Sequence, residues 1–184
     1  PAFGTAGRND LLYVGRVNGY HDITEALNVT LGTSAALGKA GEMEDEETGA
    51  RTTPGNQLYG VDLTFRWKNP RRAIYGSLQW QTEAFWNLRE RALGPALTTA
   101  GAFSHFEYQF ARRWRTGARY DWTESPADRS DRETGGLAYL TFSTSEFLRI
   151  SLQGKQVWQE GDVKDTLGFL KVTFSIGPHG ADPF

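Results

Sequence analysis

From Leu58 to Lys68 the chain alternates without a break: Tyr59, Val61, Leu63, Phe65 and Trp67 interleave with Gly60, Asp62, Thr64, Arg66 and Lys68. A period of two over this length specifies a β-strand with one apolar and one polar face. Asn69-Pro70 interrupts it, and the alternation resumes through Ile74, Gly76, Leu78, Trp80, Thr82, Ala84 and Trp86. Two long strands joined by a tight turn are therefore predicted. The pattern recurs, and turn residues divide the chain into nine strands near 10–20, 26–38, 57–68, 72–87, 101–111, 114–123, 135–143, 147–158 and 165–176. Leu27, Val29, Leu31, Ala35 and Leu37 form one apolar face, and Leu170, Val172, Phe174 and Ile176 another. The opposite faces carry Asp62, Arg66, Glu83, His105, Glu107, Arg119, Asp121, Arg149, Lys155 and Lys171.

Connections alternate in length. Short ones are expected at His21-Asp22-Ile23-Thr24, Asn69-Pro70, Arg112-Arg113 and Ser143 to Glu146, and longer polar ones near 39–56, 88–100, 124–134 and 159–164. Short turns on one rim and long loops on the other are the plan of an antiparallel up-and-down β-barrel of a bacterial outer membrane. Soluble sandwiches and lipocalin-like barrels use amphipathic strands too, with the apolar face inward. Against them stand the strand lengths, well above the soluble mode of about five to six residues. Aromatics also gather at strand ends, as in membrane girdles: Trp67, Phe110, Trp114 and Phe142 toward the short turns, Tyr59, Trp86 and Trp122 toward the long loops. An odd strand count is unusual for a single-chain bacterial barrel. The expectation is the C-terminal portion of a larger barrel, with 1–9 a loop remnant, 10–176 the strands and 177–184 a terminal tail.

Composition narrows the choice. No run approaches the roughly 20 apolar residues of a membrane helix, which leaves a barrel untouched because its strands show lipid only at every second residue. Six Trp, seven Tyr and eleven Phe are many rings for 184 residues. With no cysteine, disulfides and thiolate metal sites are excluded. A net charge of -2 gives no reason to expect a nucleic-acid partner.

The final strand, Thr166 to Phe174, resembles the C-terminal assembly signal of outer-membrane barrels: Gly168, then Leu170 and Val172, then the aromatic Phe174, with Phe184 closing the chain. Leu58-Tyr-Gly-Val-Asp-Leu-Thr64, Gln79-Trp-Gln-Thr-Glu83, Phe106 to Trp114, Gly117-Ala-Arg-Tyr-Asp121 and Ser175 to Phe184 are similar to segments of porin-like Gram-negative outer-membrane proteins. Members are often labelled zinc-regulated or TonB-dependent-receptor-like. The resemblance implies a bacterial outer-membrane location, with lipid and lipopolysaccharide around the wall. It also implies delivery by the barrel assembly machinery, a small solute or ion as cargo, and room for a homo-oligomer.

The polar faces carry the candidate chemistry. On this reading eight cations (Arg16, Arg66, Lys68, Arg115, Arg119, Arg149, Lys155, Lys171) and four acids (Asp62, Glu83, Glu107, Asp121) point inward. Basic rings favour anions in a pore, while opposite charges on neighbouring strands also pair as wall ladders. His105 and Glu107, two apart on one face, are an incomplete pair of metal ligands; a lone histidine in a hydrogen-bond network is the plainer reading. No cofactor is expected. Ser104 and His105, being adjacent, face opposite ways and cannot act as nucleophile and base, so no enzyme is expected. The function expected is a channel for small, anion-biased solutes. Its alternatives are the C-terminal barrel of a TonB-dependent receptor and an adhesion or structural barrel with a closed lumen.

Overall fold

The computed structural model describes residues 3–4, 11–41, 43–44, 51–72, 75–91, 95–125, 129–145, 147–159 and 162–175. Phe184, His179 and the rest of the terminal tail lie outside them, as do Ile74 and most of the acidic run Glu42 to Glu47. The described residues are all β. The strands are β1 Tyr13–Thr24, β2 Leu27–Lys39, β3 Met43–Glu44, β4 Arg51–Thr52, β5 Gly55–Lys68 and β6 Ser77–Arg89. They continue with β7 Leu97–Ala111, β8 Trp114–Glu124, β9 Arg132–Ser143, β10 Leu148–Gln159 and β11 Asp162–Phe174. Nine of them form one antiparallel sheet in the order β1-β2-β5-β6-β7-β8-β9-β10-β11, and β3 with β4 makes a separate small hairpin. Each strand pairs with its neighbours along the chain, up and down. The sheet does not close: β1 pairs only with β2, and β11 only with β10.

The register fixes the faces. Leu27, Trp67, Leu78, Tyr108, Thr116, Leu140, Leu152 and Leu170 stand opposite one another across successive strands, and so do Val29, Phe65, Trp80, Phe106, Ala118 and Ala138. This apolar face is the open one, with Leu31 62%, Leu152 64% and Leu170 72% exposed. Of the buried polar residues among those described, Asn56, Asp62, Thr64, Asn87, Thr99, Gln109 and Ser151 belong to the other face, and Glu124, at the rim of the apolar side, is the exception. A single sheet buries one face only by curving around it, so the polar face lies inside the curve. That arrangement inverts a soluble barrel, in which the apolar side is enclosed.

The predicted boundaries need correction at the turns. β1 runs through His21 and Asp22, which pair with Val29 and Asn28, and the chain reverses at Glu25-Ala26 instead. There the Thr24 hydroxyl accepts from the amides of Ala26 and Leu27, at 3.2 and 3.1 Å. The link after β5 is no two-residue turn, because β6 starts only at Ser77. The Asn69 side chain caps the amides of Arg71 and Arg72, and the Asn69 amide donates to the Gly76 carbonyl, closing a longer loop. At the long-loop rim the strands outrun their apolar alternation. Arg132 pairs with Glu124 and Leu97 with Arg89, since backbone ladders form between polar residues as readily as apolar ones.

Candidate functional site: the polar face

All thirteen residues expected to point inward, the twelve charges and His105, fall on this one face, in rows that cross the sheet. Nearest the short turns runs Lys68, Ser77, Gln109, Arg115, Thr141, Ser151 and Lys171. Next comes Arg66, Gln79, Glu107, Gly117, Tyr139 and Gln153. A third row holds Thr64, Gln81, His105, Arg119, Leu137 and Lys155. Toward the long loops a fourth holds Asp62, Glu83, Phe103, Asp121, Gly135, Val157 and Asp165. Arg149 lies in the last pairs before the turns, opposite Ser143 and Thr173.

Charge is sorted along the strands. The first row contains cations and no acid; the fourth contains Asp62, Glu83, Asp121 and Asp165 and no cation. The six residues from Asp62 to Lys68 set the two levels about 20 Å apart at about 3.3 Å per residue. The expected tally of eight cations to four acids is also corrected: the register adds Asp22, Glu133, Asp162 and Asp165 to the acids and Arg89 to the cations. Those five sit near strand ends, where the apolar alternation has already stopped.

Besides the Lys164–Glu133 contact from β11 to β9 at the rim, two cross-braces that pass over a glycine tie strands that are not neighbours. On one side Arg16 of β1 reaches over β2, and its Nη2 donates to Asp62 Oδ2 of β5 at 2.8 Å. Gly32 of β2 makes room, since a Cβ there would strike the Asp62 carboxylate. In the middle, Tyr139 of β9 lies across Gly117 of β8, where a Cβ would strike its ring. The Tyr139 hydroxyl donates to Glu107 Oε2 of β7 at 2.6 Å and sits 3.0 Å from His105 Nε2. Because that hydroxyl spends its single proton on Glu107, the His105 contact requires Nε2 to carry a hydrogen. The two rings stack with centroids 6.0 Å apart, and Arg115 Nη1 stands 3.8 Å from Glu107 Oε1.

Beside this brace Arg119 grips Asp121 through Nε and Nη2 at 2.8 and 2.6 Å, its guanidinium 4.0 Å from the centre of the Phe103 ring. Arg66 Nη1 donates to Thr30 Oγ1 at 3.3 Å. Glu83, Lys68, Lys155 and Lys171 have no charged partner among the described residues. His105 and Glu107, the candidate ligand pair, are bridged by the Tyr139 hydroxyl, and among the described residues no three His, Asp or Glu side chains are arranged to hold a metal ion. Ser104 turns to the apolar face and accepts from Trp80 Nε1 at 2.8 Å, away from His105. Gly168, Leu170, Val172 and Phe174 of the assembly-signal resemblance all stand on the apolar face, opposite Gly154, Leu152, Ile150 and Leu148. Sequence reasoning passed over Tyr139, Phe103 and Gly117. The available signal was a lone tyrosine on the polar side of a strand, with a glycine on the strand between it and the histidine and glutamate.

No family model matches the chain, and no solved structure matches it. The chain is 27% identical, over 194 aligned positions, to a protein of Aquifex aeolicus (strain VF5) described as uncharacterized; the match covers 94% of this chain and 40% of that protein. The chain thus spans two fifths of that relative's length.

Proposed function

We propose that these nine strands are part of the wall of an outer-membrane β-barrel whose polar face lines a path for small solutes. One observation carries the reading: the sheet encloses its polar face and leaves its apolar face open, as lipid requires and water does not. The strands, of eleven to fifteen residues, are long enough to cross a bilayer when tilted. The open edges β1 and β11 run in the same direction, because nine strands alternate up and down. An all-antiparallel closure therefore takes an odd number of further strands, and an unpaired edge in lipid is strongly disfavoured. Because the chain has no cysteine, single-cysteine scanning tests the reading cleanly. Cysteines at Val61, Leu63, Leu78 and Val172 should react with a lipid-soluble maleimide, and those at Gln79, Gln81 and Gln153 with a charged one. Equal reaction of both sets with the charged reagent would exclude a membrane wall.

The row of Lys68, Arg115 and Lys171 gives this path a weak preference for anions at its short-turn mouth, offset deeper in by Glu83 and Asp165. Reversing Lys68 and Lys171 to Glu should shift the zero-current potential in a salt gradient toward cation selectivity, most at low ionic strength, where screening over about 10 Å at 0.1 M is weaker still. An unchanged potential would mean that ions do not pass along this face.

A further inference from the structure

The two rims of the sheet treat their cations differently. At the long-loop rim Arg129 and Arg132 converge on the buried Glu124 carboxylate at 3.3 and 3.7 Å, and Lys164 holds Glu133 at 3.2 Å. Among the cations there whose side chains are described, Arg91 alone lacks a partner, and it follows Glu90 directly. At the short-turn rim, Arg71 and Arg72 stand in the connector after β5 and Arg112 and Arg113 in the connector after β7, all four exposed. Their backbone groups are engaged: the amides of Arg71 and Arg72 donate to Asn69, and the carbonyls of Arg112 and Arg113 accept from Gln109 and Ser143. None of the four guanidinium groups meets a carboxylate among the described residues.

Just inside this rim lies an aromatic band. Trp114 packs on Phe142 with ring centroids 4.7 Å apart, and Phe65 stacks on Trp80 two rows further in, at 5.4 Å. Phe110 stands at the end of β7, 46% exposed, and Tyr75 and Phe147 stand in the connectors themselves, 48% and 45% exposed. Rings in such a band settle at the boundary between acyl chains and headgroups, which puts side chains one step beyond them at the height of the phosphates. A guanidinium presents a planar fork that grips two phosphate oxygens at once, and an anionic leaflet draws basic groups to its surface.

We propose that the short-turn rim is a docking surface for the phosphodiester headgroups of anionic phospholipid, with Arg71, Arg72, Arg112 and Arg113 as its ligands. The inference rests on the membrane reading above. The arginines stand on open connectors flanked by apolar rings, with no cradle that would hold a free anion, and this favours a lipid whose acyl chains cover the aromatic band.

The test refolds the full-length protein, in which further strands complete the wall, into phosphatidylcholine bilayers and compares quenching of its tryptophans by brominated phosphatidylglycerol and brominated phosphatidylcholine. Trp67, Trp80 and Trp114 lie at or near the proposed site. Phosphatidylglycerol should be preferred at low salt, and each Arg→Gln change should lower that preference by up to about fivefold. The quadruple variant should abolish it. Arg91→Gln with Lys164→Gln, at the other rim, should leave it intact. A full-length protein that gains no protease-resistant, heat-modifiable form in bilayers overturns the membrane reading and this inference with it. A chain that inserts but shows no lipid preference, or keeps it in the quadruple variant, overturns the inference alone. Displacement by soluble glycerol phosphate as effective as by lipid assigns the rim to free anions and equally overturns it.

Discussion

The two braces on the polar face solve one problem in different ways. Each spans three strands across a glycine, yet the brace at the edge is a single ion pair, while the central one is a cluster. Asp62 is buried, and its one charged partner among the described residues is Arg16, which is half-exposed on a strand that is open along its whole length. Glu107 is only partly buried and has both the Tyr139 hydroxyl and, more loosely, Arg115. A buried carboxylate with one partner is brittle, because removing that partner leaves a charge with neither water nor counter-ion. A shared carboxylate with water at hand loses only one of several bonds. The difference also bears on the edge strand: β1 is held to the sheet by its ladder to β2 and by this one reach to β5.

The sharpest way to break that comparison is Arg16→Met. It should destabilise the folded chain by about 2–3 kcal/mol, less than a fully buried pair loses because Arg16 is half in solvent. Urea unfolding would measure it, and the second change Asp62→Asn should recover most of the loss. A loss below about 0.5 kcal/mol, the level of an exposed pair, would mean that Asp62 has water after all. Gly117→Val comes next, at about 1–3 kcal/mol, because the added methyl groups occupy the place of the Tyr139 ring and force it off Glu107. Tyr139→Phe keeps the ring and loses the hydroxyl, and should cost about 1 kcal/mol. A double-mutant cycle with His105→Ala then reads the coupling carried by the hydroxyl, and zero coupling would reduce the cluster to packing. Arg115→Gln should be the mildest, a few tenths of a kcal/mol, as a 3.8 Å contact between partly exposed groups warrants.

The strands and their faces were legible because alternation is local: each residue declares its side by its parity with its neighbours. Leu63 and Asp62 needed no knowledge of any other strand. Ends were harder to read. His21-Asp22 reads as a turn by composition, but those residues stay in the ladder because Val29 and Asn28 pair with them. Asn69-Pro70 does mark a break, while the length of the loop behind it follows from where the Asn69 side chain can reach the next amides. The inward charges were found one by one, but their sorting into a basic row and an acidic row was not. A row belongs to the register between strands, and nothing within a single strand encodes it. The braces were missed for the same reason: Tyr139, Gly117 and Glu107 come from three strands and meet only once both registers are set.

Pairing only between sequence neighbours makes the sheet modular. Every ladder contact in the nine strands belongs to one hairpin or to the join between two adjacent ones. A duplicated or deleted hairpin would therefore change the width of the sheet by two strands and leave every remaining side chain on its present face. In any closed sheet built on this plan the diameter would follow strand number, altered in evolution by copying a unit of about thirty residues, without inventing a new core.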